Sequence, residues 1–180
     1  EHAWISSILI TINNVHELLN LGARKKELIE DTESILRNLG ITFSGQVGMW
    51  KGKKSSYTIK VSSRILTEHF EQYGKGCYSK AIPPFLFQAP REVKDELLAG
   101  LFRGDGSIQK KTSTGSYPTI SYATVSKSLI EGIDMLLREK GILASKREWM
   151  GKKSKVPCYE VRISESSAVR KLLPLLVREK

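Results

Sequence analysis

The chain repeats itself at a spacing of about one hundred residues. Four pairs of segments match at offsets between 99 and 102: 28–30 with 129–131, 40–41 with 141–142, 50–54 with 149–153, and 57–62 with 159–164. A repeat this long implies two copies of one supersecondary unit, whose halves fold alike. The differences between the offsets are accounted for by insertions in loops.

Each copy is predicted to run strand, helix, two strands, helix. The strands Ile8–Asn13 and Thr119–Ser126 alternate or run apolar, and the helices Lys25–Leu39 and Lys127–Lys140 carry apolar residues at helical spacing. Both helices stop before a glycine, which is typical of a helix C-terminus. This pattern predicts an α+β fold with antiparallel sheets.

The hairpin that follows each helix has one apolar and one polar face. In 56–62 and in 159–164 apolar residues alternate with polar ones, as expected for half-buried strands. The turns Lys51–Ser55 and Gly151–Lys155 are rich in lysine and glycine, and the loop Lys110–Pro118 is long and polar. We therefore expect a sheet with helices on one face and cationic side chains on the other.

Between the copies lies a helix with a narrow face of small residues. Arg91–Gly104 is predicted as this helix, with Pro90 before it and Gly106 just after its end. On it Leu97, Gly100, Leu101 and Gly104 fall on adjacent turns, so a second helix can approach closely and Asp105 lies at the foot of the seam. The alternative is an ordinary core helix ended by glycine, with Asp105 a turn residue.

The stretch 98–106, LAGLFRGDG, resembles the LAGLIDADG motif of homing endonucleases in its dodecapeptide form. The resemblance implies two pseudo-symmetric αββαββα-type repeats that form a saddle-shaped antiparallel DNA-binding sheet covered by helices. It assigns residues 1–89 to the first repeat and 90–180 to the second. It also implies that Asp105 is a catalytic residue that binds a metal ion.

The segment before this helix carries a second resemblance. Ser79, Lys80, Ile82, Pro83, Phe85 and Leu86 are similar to the pattern that precedes the second motif helix in double-motif members of the family. The resemblance implies a catalytic role for Lys80, whose ammonium can stabilise charge that develops on a phosphate. The alternative is a solvent-exposed lysine with no such role.

A second acidic residue is expected near the start of the sequence. The repeat offset places the counterpart of Asp105 near residue 3 or 4, and the nearest carboxylate is Glu1, in a stretch similar to the tail of a first motif. We expect a motif helix upstream of Glu1, which favours a monomeric pseudo-dimer over a homodimer that pairs through Asp105 helices. With Asp105 and Glu1 as ligands, the resemblance implies Mg²⁺, as two or more divalent ions shared with the scissile phosphates.

A net charge of +10 suits a protein that binds a phosphate backbone. Side chains expected to reach bases or phosphates from the sheet are Lys60, Arg162, Thr58, Gln46 and Lys146. The lysines expected to do so from loops are Lys53, Lys54, Lys152, Lys153, Lys110 and Lys111. For any one of them the alternative is a solvated surface group.

The sequence gives little support to a membrane or secreted protein. No apolar stretch approaches the roughly 18 residues of a membrane span, and no signal sequence is visible. The two cysteines lie far apart and outside any metal-binding spacing. We expect an intracellular protein, in cytoplasm, nucleoid or organelle, without a membrane partner.

Three functions fit these expectations. The first is an intron- or intein-encoded endonuclease that cuts double-stranded DNA at a long pseudo-palindromic or asymmetric site by metal-assisted hydrolysis. The second is a DNA-binding protein of the same fold without cleavage. The third is an RNA maturase, which binds structured intron RNA rather than duplex DNA.

Overall fold

The computed structural model of the chain describes residues 7–13, 23–50, 53–109, 118–151 and 155–176. The chain divides into two compact units, Glu1–Glu71 and Gln72–Lys180, called unit 1 and unit 2. Each unit holds one antiparallel sheet with helices packed on it. The predicted α+β fold is confirmed.

Unit 1 is built on a three-stranded sheet. Its described elements are β1 (Ser7–Asn13), α1 (Ala23–Asn38), β2 (Phe43–Trp50), β3 (Lys53–Ser62) and α2 (Arg64–Glu71). The strand order is β1-β3-β2, so β3 is central. Ile59 and Val61 of β3 are buried while Lys60 between them is exposed, which is the alternation predicted from the sequence. Strand β3 begins at Lys53, so Lys53–Ser55, which were predicted to belong to the turn Lys51–Ser55, are part of the strand.

Unit 2 is built on a four-stranded sheet. Its elements are α3 (Pro84–Phe87), α4 (Arg91–Asp105), β4 (Gly106–Gln109), β5 (Thr119–Thr124), α5 (Lys127–Glu139), β6 (Ser145–Met150), β7 (Pro157–Ile163) and α6 (Ser166–Leu176). The strand order is β4-β5-β7-β6, antiparallel throughout. From α4 onward the elements follow the predicted αββαββα order.

The core of unit 2 lies between its sheet and three helices. Leu98 of α4, Leu137 of α5 and Leu172 of α6 are fully buried, and Ile120 and Val161 are fully buried on the sheet. Burying each of these side chains contributes about 1.5–3 kcal/mol, so all three helices are fixed by apolar packing.

The repeated Gly-Ile pair ends α1 and α5 in the same way. Gly40 and Gly141 both adopt a left-handed backbone, with φ of 67° and 68°. The next amides, of Ile41 and Ile142, donate to the carbonyls of Leu36 and Leu137 at 2.8 and 2.9 Å. A residue with a side chain would be strained at either glycine, so the pair is a structural signature of the repeat.

The compact units divide at a different place from the predicted repeats. The segment 72–89, which the sequence assigns to the first repeat, packs within unit 2, where Ile82 and Leu86 are buried in its core. Sequence repeats and packing need not share a boundary, because a connecting segment can fold back on the following unit. The repeat boundary at residue 89 stays a prediction.

Two further observations concern membrane-spanning helices and the cysteines. Within the described ranges, no helix combines the length and the apolar composition that crossing a membrane requires. Cys77 is exposed and Cys158 half-buried, and both are free thiols.

Candidate functional site

Asp105 is the last residue of α4, and its side chain is exposed. The next residue, Gly106, is extended and donates its amide to the carbonyl of Phe102, so the chain passes directly from the helix into β4. A Cβ on Gly106 would lie 2.3 Å from the Phe102 carbonyl oxygen. Only glycine fits there, and the tight exit fixes where Asp105 projects.

The Asp105 carboxylate influences a buried phenol on the neighbouring strand. Tyr122 of β5 pairs with Gly106, is 3% exposed and packs edge-on against Phe102, with ring centroids 5.6 Å apart. Burial, and secondly the charge of Asp105, raise the pKa of Tyr122 to about 12. The carboxylate therefore lies beside the strand position of Tyr122, towards the end where β5 leaves the sheet.

Lys80 lies in a loop whose backbone is held on both sides. The amide of Ala81 donates to the carbonyl of Tyr73 at 2.8 Å, and Gly74 has φ of 90° with no room for a Cβ against the Ser79 carbonyl. Ile82, two residues after Lys80, is buried in the core of unit 2. The Lys80 side chain itself is exposed. Its backbone is thus fixed while its ammonium reaches into solvent.

Ser126 joins this loop to the end of β5. It is the N-cap of α5, and its hydroxyl donates to the carbonyl of Lys80 at 2.5 Å. Ser126 follows Tyr122 by four residues, which span at most about 13 Å of extended chain. The topology thus brings the Lys80 loop and Asp105 to the same end of β5. The sequence interpretation missed Ser126, although Ser before a helical run is an N-cap signal.

The sheet face of unit 2 opposite the helices carries arginines around a buried carboxylate. Glu160 is 7% exposed and lies 3.4 Å from Arg162 and 3.9 Å from Arg147. The Arg147 guanidinium lies over the ring of Trp149, 5.7 Å from its centroid. Arg147 and Trp149 were not among the predicted contact residues. Their strand reads SKREWM without apolar alternation, and its six residues are all exposed.

The sequence placed Lys146 on the same face as Arg162, and that placement is wrong. Lys146 pairs with Val161, which is fully buried beneath the helices, and its ammonium lies 3.0 Å from Asp134 of α5. Arg162 pairs with Ser145, one residue earlier on the same strand. Because adjacent residues of a strand point to opposite faces, Lys146 lies on the helix-covered side.

In unit 1 the predicted contact residues follow the strand register. Lys60 is exposed and opposite Ser44 and Leu9, and position 46 is opposite position 58. For four of the predicted contact residues the structure describes the strand position but not the side chain: Gln46, Lys53, Lys54 and Thr58. Predicted site residues that lie wholly outside the described ranges are Glu1, Lys110, Lys111, Lys152 and Lys153.

The small-residue face of α4 is open to solvent at its glycines. Gly100 and Gly104 are exposed, and no described atom lies within 4 Å of a Cβ built on either. Leu97 and Leu101 are half-buried against the core of unit 2. The pairing of this face with a second helix stays a prediction.

The donor chemistry of Asp105 suits a hard cation. An exposed carboxylate offers oxygen ligands, which Mg²⁺ prefers. In the part of the chain that the structure describes, no three His, Cys, Asp or Glu side chains gather in one place. Asp105 offers such an ion one exposed carboxylate.

Comparison with known proteins finds a family match in the second half of the chain. Residues 92–176 match the family model of the LAGLIDADG-like domain. The chain is 38% identical over 174 residues to an uncharacterized protein of Methanocaldococcus jannaschii, which covers 94% of this chain and 19% of that protein. It is 36% identical over 126 residues to the DNA polymerase II large subunit of Thermococcus kodakarensis, which covers 68% of this chain and 6% of that subunit. The chain thus spans less than a fifth of these curated relatives.

Solved structures share the fold. A variant of the homing endonuclease I-DmoI aligns with a TM-score of 0.63 at 15% identity, over 94% of this chain and 79% of that one. The N-terminal LAGLIDADG domain of WhiA aligns with a TM-score of 0.57 at 14% identity, over 97% of this chain and 72% of that one. At these identities the likeness concerns the fold.

Proposed function

We propose that the chain, whose residues 92–176 match the LAGLIDADG-like domain, is a member of that family and a metal-dependent, site-specific DNA endonuclease. Its substrate is double-stranded DNA with a long pseudo-palindromic or asymmetric site. The chain acts as a monomeric pseudo-dimer in which two similar halves each contribute one acidic residue.

One observation supports this proposal: Asp105 and the Lys80 loop are both linked to the same end of β5. Gly106, next to Asp105, pairs with Tyr122, and Ser126, two residues beyond the end of the same strand, binds the Lys80 carbonyl. A carboxylate and an ammonium carried near one strand end are suited to a phosphodiester. The carboxylate serves a cation, and the ammonium faces the negative phosphate oxygens.

The metal we propose is Mg²⁺, with Asp105 as one ligand and Glu1 as the second acid. The homing endonuclease I-DmoI has been crystallised with DNA and Mn, with DNA and Ca, and with its target DNA and Mg. When bound, such ions lower the pKa of coordinated water and stabilise the leaving oxygen.

The reaction is hydrolysis of one phosphodiester in each strand. The oxygen of water bonds to phosphorus and the bond from phosphorus to the 3′ oxygen breaks. Of the two water protons, one ends on the 3′ hydroxyl and the other remains with the new 5′ phosphate or passes to solvent. Lys80 is proposed to stabilise the added charge on the phosphate oxygens, and Asp105 to hold a cation beside them.

The polar sheet faces are proposed to bind the duplex. Arg162 in unit 2 and Lys60 in unit 1 stand among the polar positions of their sheets, and the chain carries a net charge of +10. Arginine reads guanine edges in the major groove, and lysine contacts phosphates.

The relatives support a mobile origin within host genes. The chain matches short parts of proteins with unrelated names, among them the polymerase subunit of Thermococcus kodakarensis. Because these proteins have different activities in their names, we expect the shared segment to have a function of its own. We propose that the chain is intron- or intein-encoded and acts inside the cell.

Selection from a randomised duplex library tests the proposal. The chain is bound to the library in Ca²⁺, the bound DNA is recovered, and Mg²⁺ is then added to start cleavage. We expect cleavage at a long enriched site by the parent chain, and binding without cleavage by Asp105→Asn. Equal cleavage by parent and variant would overturn the role of Asp105, and no cleavage by either would overturn the endonuclease.

A second candidate is DNA binding without cleavage. The structure describes one carboxylate at the end of α4, and the same fold occurs in WhiA, a protein not designated an endonuclease. In that case the parent enriches a duplex in Ca²⁺ but leaves it intact in Mg²⁺. Enrichment of structured RNA instead of duplex would indicate a maturase.

A further inference from the structure

We propose that Ser126 is a positioning residue that sets the place of Lys80 relative to the scissile phosphate. Ser126 is completely buried, and its single hydroxyl proton is donated to the Lys80 carbonyl, 46 residues earlier in the chain. The same oxygen accepts the amide of Leu129 at 3.3 Å. One hydroxyl thus caps α5 and anchors the loop that carries Lys80. The inference rests on the proposed function, because it assumes that Lys80 acts in cleavage.

Ser126 has little freedom to move. Its own amide donates to the Thr124 hydroxyl at 3.2 Å, and its carbonyl accepts the amide of Ile130 at 3.3 Å. A Cβ on Gly132, nearly two turns further along α5, would lie 3.1 Å from the Ile82 side chain, so the segment after Lys80 and the helix are also in close contact there. A rigid donor on a rigid helix end fixes the acceptor it binds.

The Lys80 side of the contact is constrained as well. The Ala81 amide is bound to the Tyr73 carbonyl, so hydrogen bonds hold the chain at the Lys80 carbonyl and at the amide just after it. The ammonium itself is at the end of a flexible side chain with about 2 kcal/mol of rotamer entropy. Where the ammonium can reach is therefore decided by the backbone at Lys80.

The expected consequence is a loss of rate with little loss of DNA affinity. A displacement of about 1 Å in a group that contacts the reacting atoms can cost about a hundredfold in rate. Ser126 lies in the interior, where it cannot touch DNA. Its removal should therefore affect cleavage through Lys80 and leave the binding faces of the sheets unchanged.

The chain offers a matched control for helix capping. Ser63 precedes α2, and its hydroxyl accepts the amide of Leu66 at 3.3 Å, the same distance as in the cap of α5. Ser63→Ala removes a cap bond of the same kind without touching the Lys80 loop. Ser126→Thr keeps both donor and acceptor and serves as the conservative rescue.

A double-mutant cycle on the full chain tests the inference. Single-turnover cleavage of the enriched duplex is measured for the parent, Lys80→Ala, Ser126→Ala and the double variant, all below their melting temperatures. We expect Ser126→Ala to slow the parent by about ten- to a hundredfold and to leave Lys80→Ala unchanged within about twofold, since residues that act as a unit are non-additive. Ser126→Thr and Ser63→Ala should cleave within about threefold of the parent, and neither they nor Ser126→Ala should change the DNA dissociation constant.

The contrary outcomes separate the two proposals. If the parent cleaves but Ser126→Ala slows Lys80→Ala by the same factor as it slows the parent, Ser126 acts by stability alone and the inference is overturned. It is equally overturned if Ser126→Ala leaves the parent rate unchanged. If the parent does not cleave the enriched duplex, the proposed function fails, and amide exchange then tests the anchor. The rate of amide hydrogen exchange at Ala81 should rise about tenfold or more in Ser126→Ala and stay constant in Ser63→Ala. If the rate does not rise, the hydroxyl does not hold the loop.

Discussion

Units 1 and 2 share an order of strand, helix, hairpin and helix, but their sheets are covered differently. In unit 2 the helices α4, α5 and α6 all bury apolar residues on the sheet. In the described part of unit 1, α1 and α2 border an apolar groove of about 210 Å³, lined by Leu36, Leu39, Leu66 and Phe70 among others. The difference coincides with α4, which has no described counterpart in unit 1.

A pair of equivalent residues shows what α4 contributes. Leu136 of α5 is 1% exposed and lines the same cleft as Leu98 of α4, whereas its repeat equivalent in α1, Ile35, is 57% exposed. The helix that carries Asp105 therefore also completes the core beneath it. A carboxylate on such a helix is held in place by the packing of the whole unit, which is an advantage for a catalytic group.

The largest expected effect comes from removing one phenylalanine in each unit. Phe102→Ala should lower the free energy of unfolding of unit 2 by about 3–5 kcal/mol, because this ring is 4% exposed in a packed core. Phe70→Ala should cost about 1 kcal/mol or less, because that ring is 48% exposed beside the groove. Urea denaturation followed by residue-specific amide exchange reports each unit separately. Equal losses in the free energy of unfolding would contradict this, because they would show that the two phenylalanines are packed equally well.

Substitution of two glycines of the motif by alanine should change the stability of the chain in opposite directions. Gly106→Ala forces a Cβ against the backbone of Phe102 and should destabilise unit 2 by about 1–3 kcal/mol. Gly104→Ala meets no described atom and replaces a glycine in the last turn of α4, so it should stabilise the free chain by about 0.5 kcal/mol. Thermal unfolding measures both. A Gly104→Ala variant that is more stable yet slower to cleave would support the predicted pairing of this helix face.

The polar faces of the two sheets should differ in what they recognise. Glu160→Gln frees two arginines from their shared carboxylate, so we expect tighter binding to random duplex and about tenfold less preference for the enriched site. Lys60→Gln in unit 1 should weaken binding to all duplexes alike and reduce the salt slope of log K by about 1. Fluorescence anisotropy over a range of salt concentrations measures both. A uniform loss with Glu160→Gln would mean that the carboxylate does not order the arginines.

The smallest expected effect is on the titration of Tyr122. Burial is the larger cause of its raised pKa, so Asp105→Asn should lower that pKa from about 12 but leave it above the ordinary value of 10.0. The pKa of Tyr122 is higher in the folded than in the unfolded chain. Its contribution to the free energy of unfolding is therefore constant below pH 10 and falls as the pH rises from about 10 to about 12. NMR of carbon-13-labelled tyrosine follows the titration. Tyr73, whose pKa is raised by burial alone, is the reference that should not move.

Much of the fold was predictable, because periodicity and glycines determine local structure. The helix α5 starts and ends within one residue of its predicted range, and Gly40 and Gly141 end their helices as expected. The motif helix and the position of Asp105 at its end also followed from the sequence.

The failures have physical reasons. The side of the sheet on which Lys146 lies could not be predicted from the sequence SKREWM, because an exposed edge strand has no apolar alternation to fix its register. The bond from Ser126 to Lys80 joins residues 46 apart, and no local pattern encodes such a contact. The packing of 72–89 on unit 2 depends on Ile82 and Leu86, which are apolar in either assignment.

We propose that Asp105 and the Lys80 loop form one cation-dependent site at the end of β5. The most direct measurement is paramagnetic broadening by Mn²⁺ in the nitrogen-15-labelled full chain bound to its enriched duplex. We expect selective loss of amide signals from 104–107 and from 80–81, and their recovery in Asp105→Asn. Broadening centred elsewhere, or unchanged by that substitution, would contradict it.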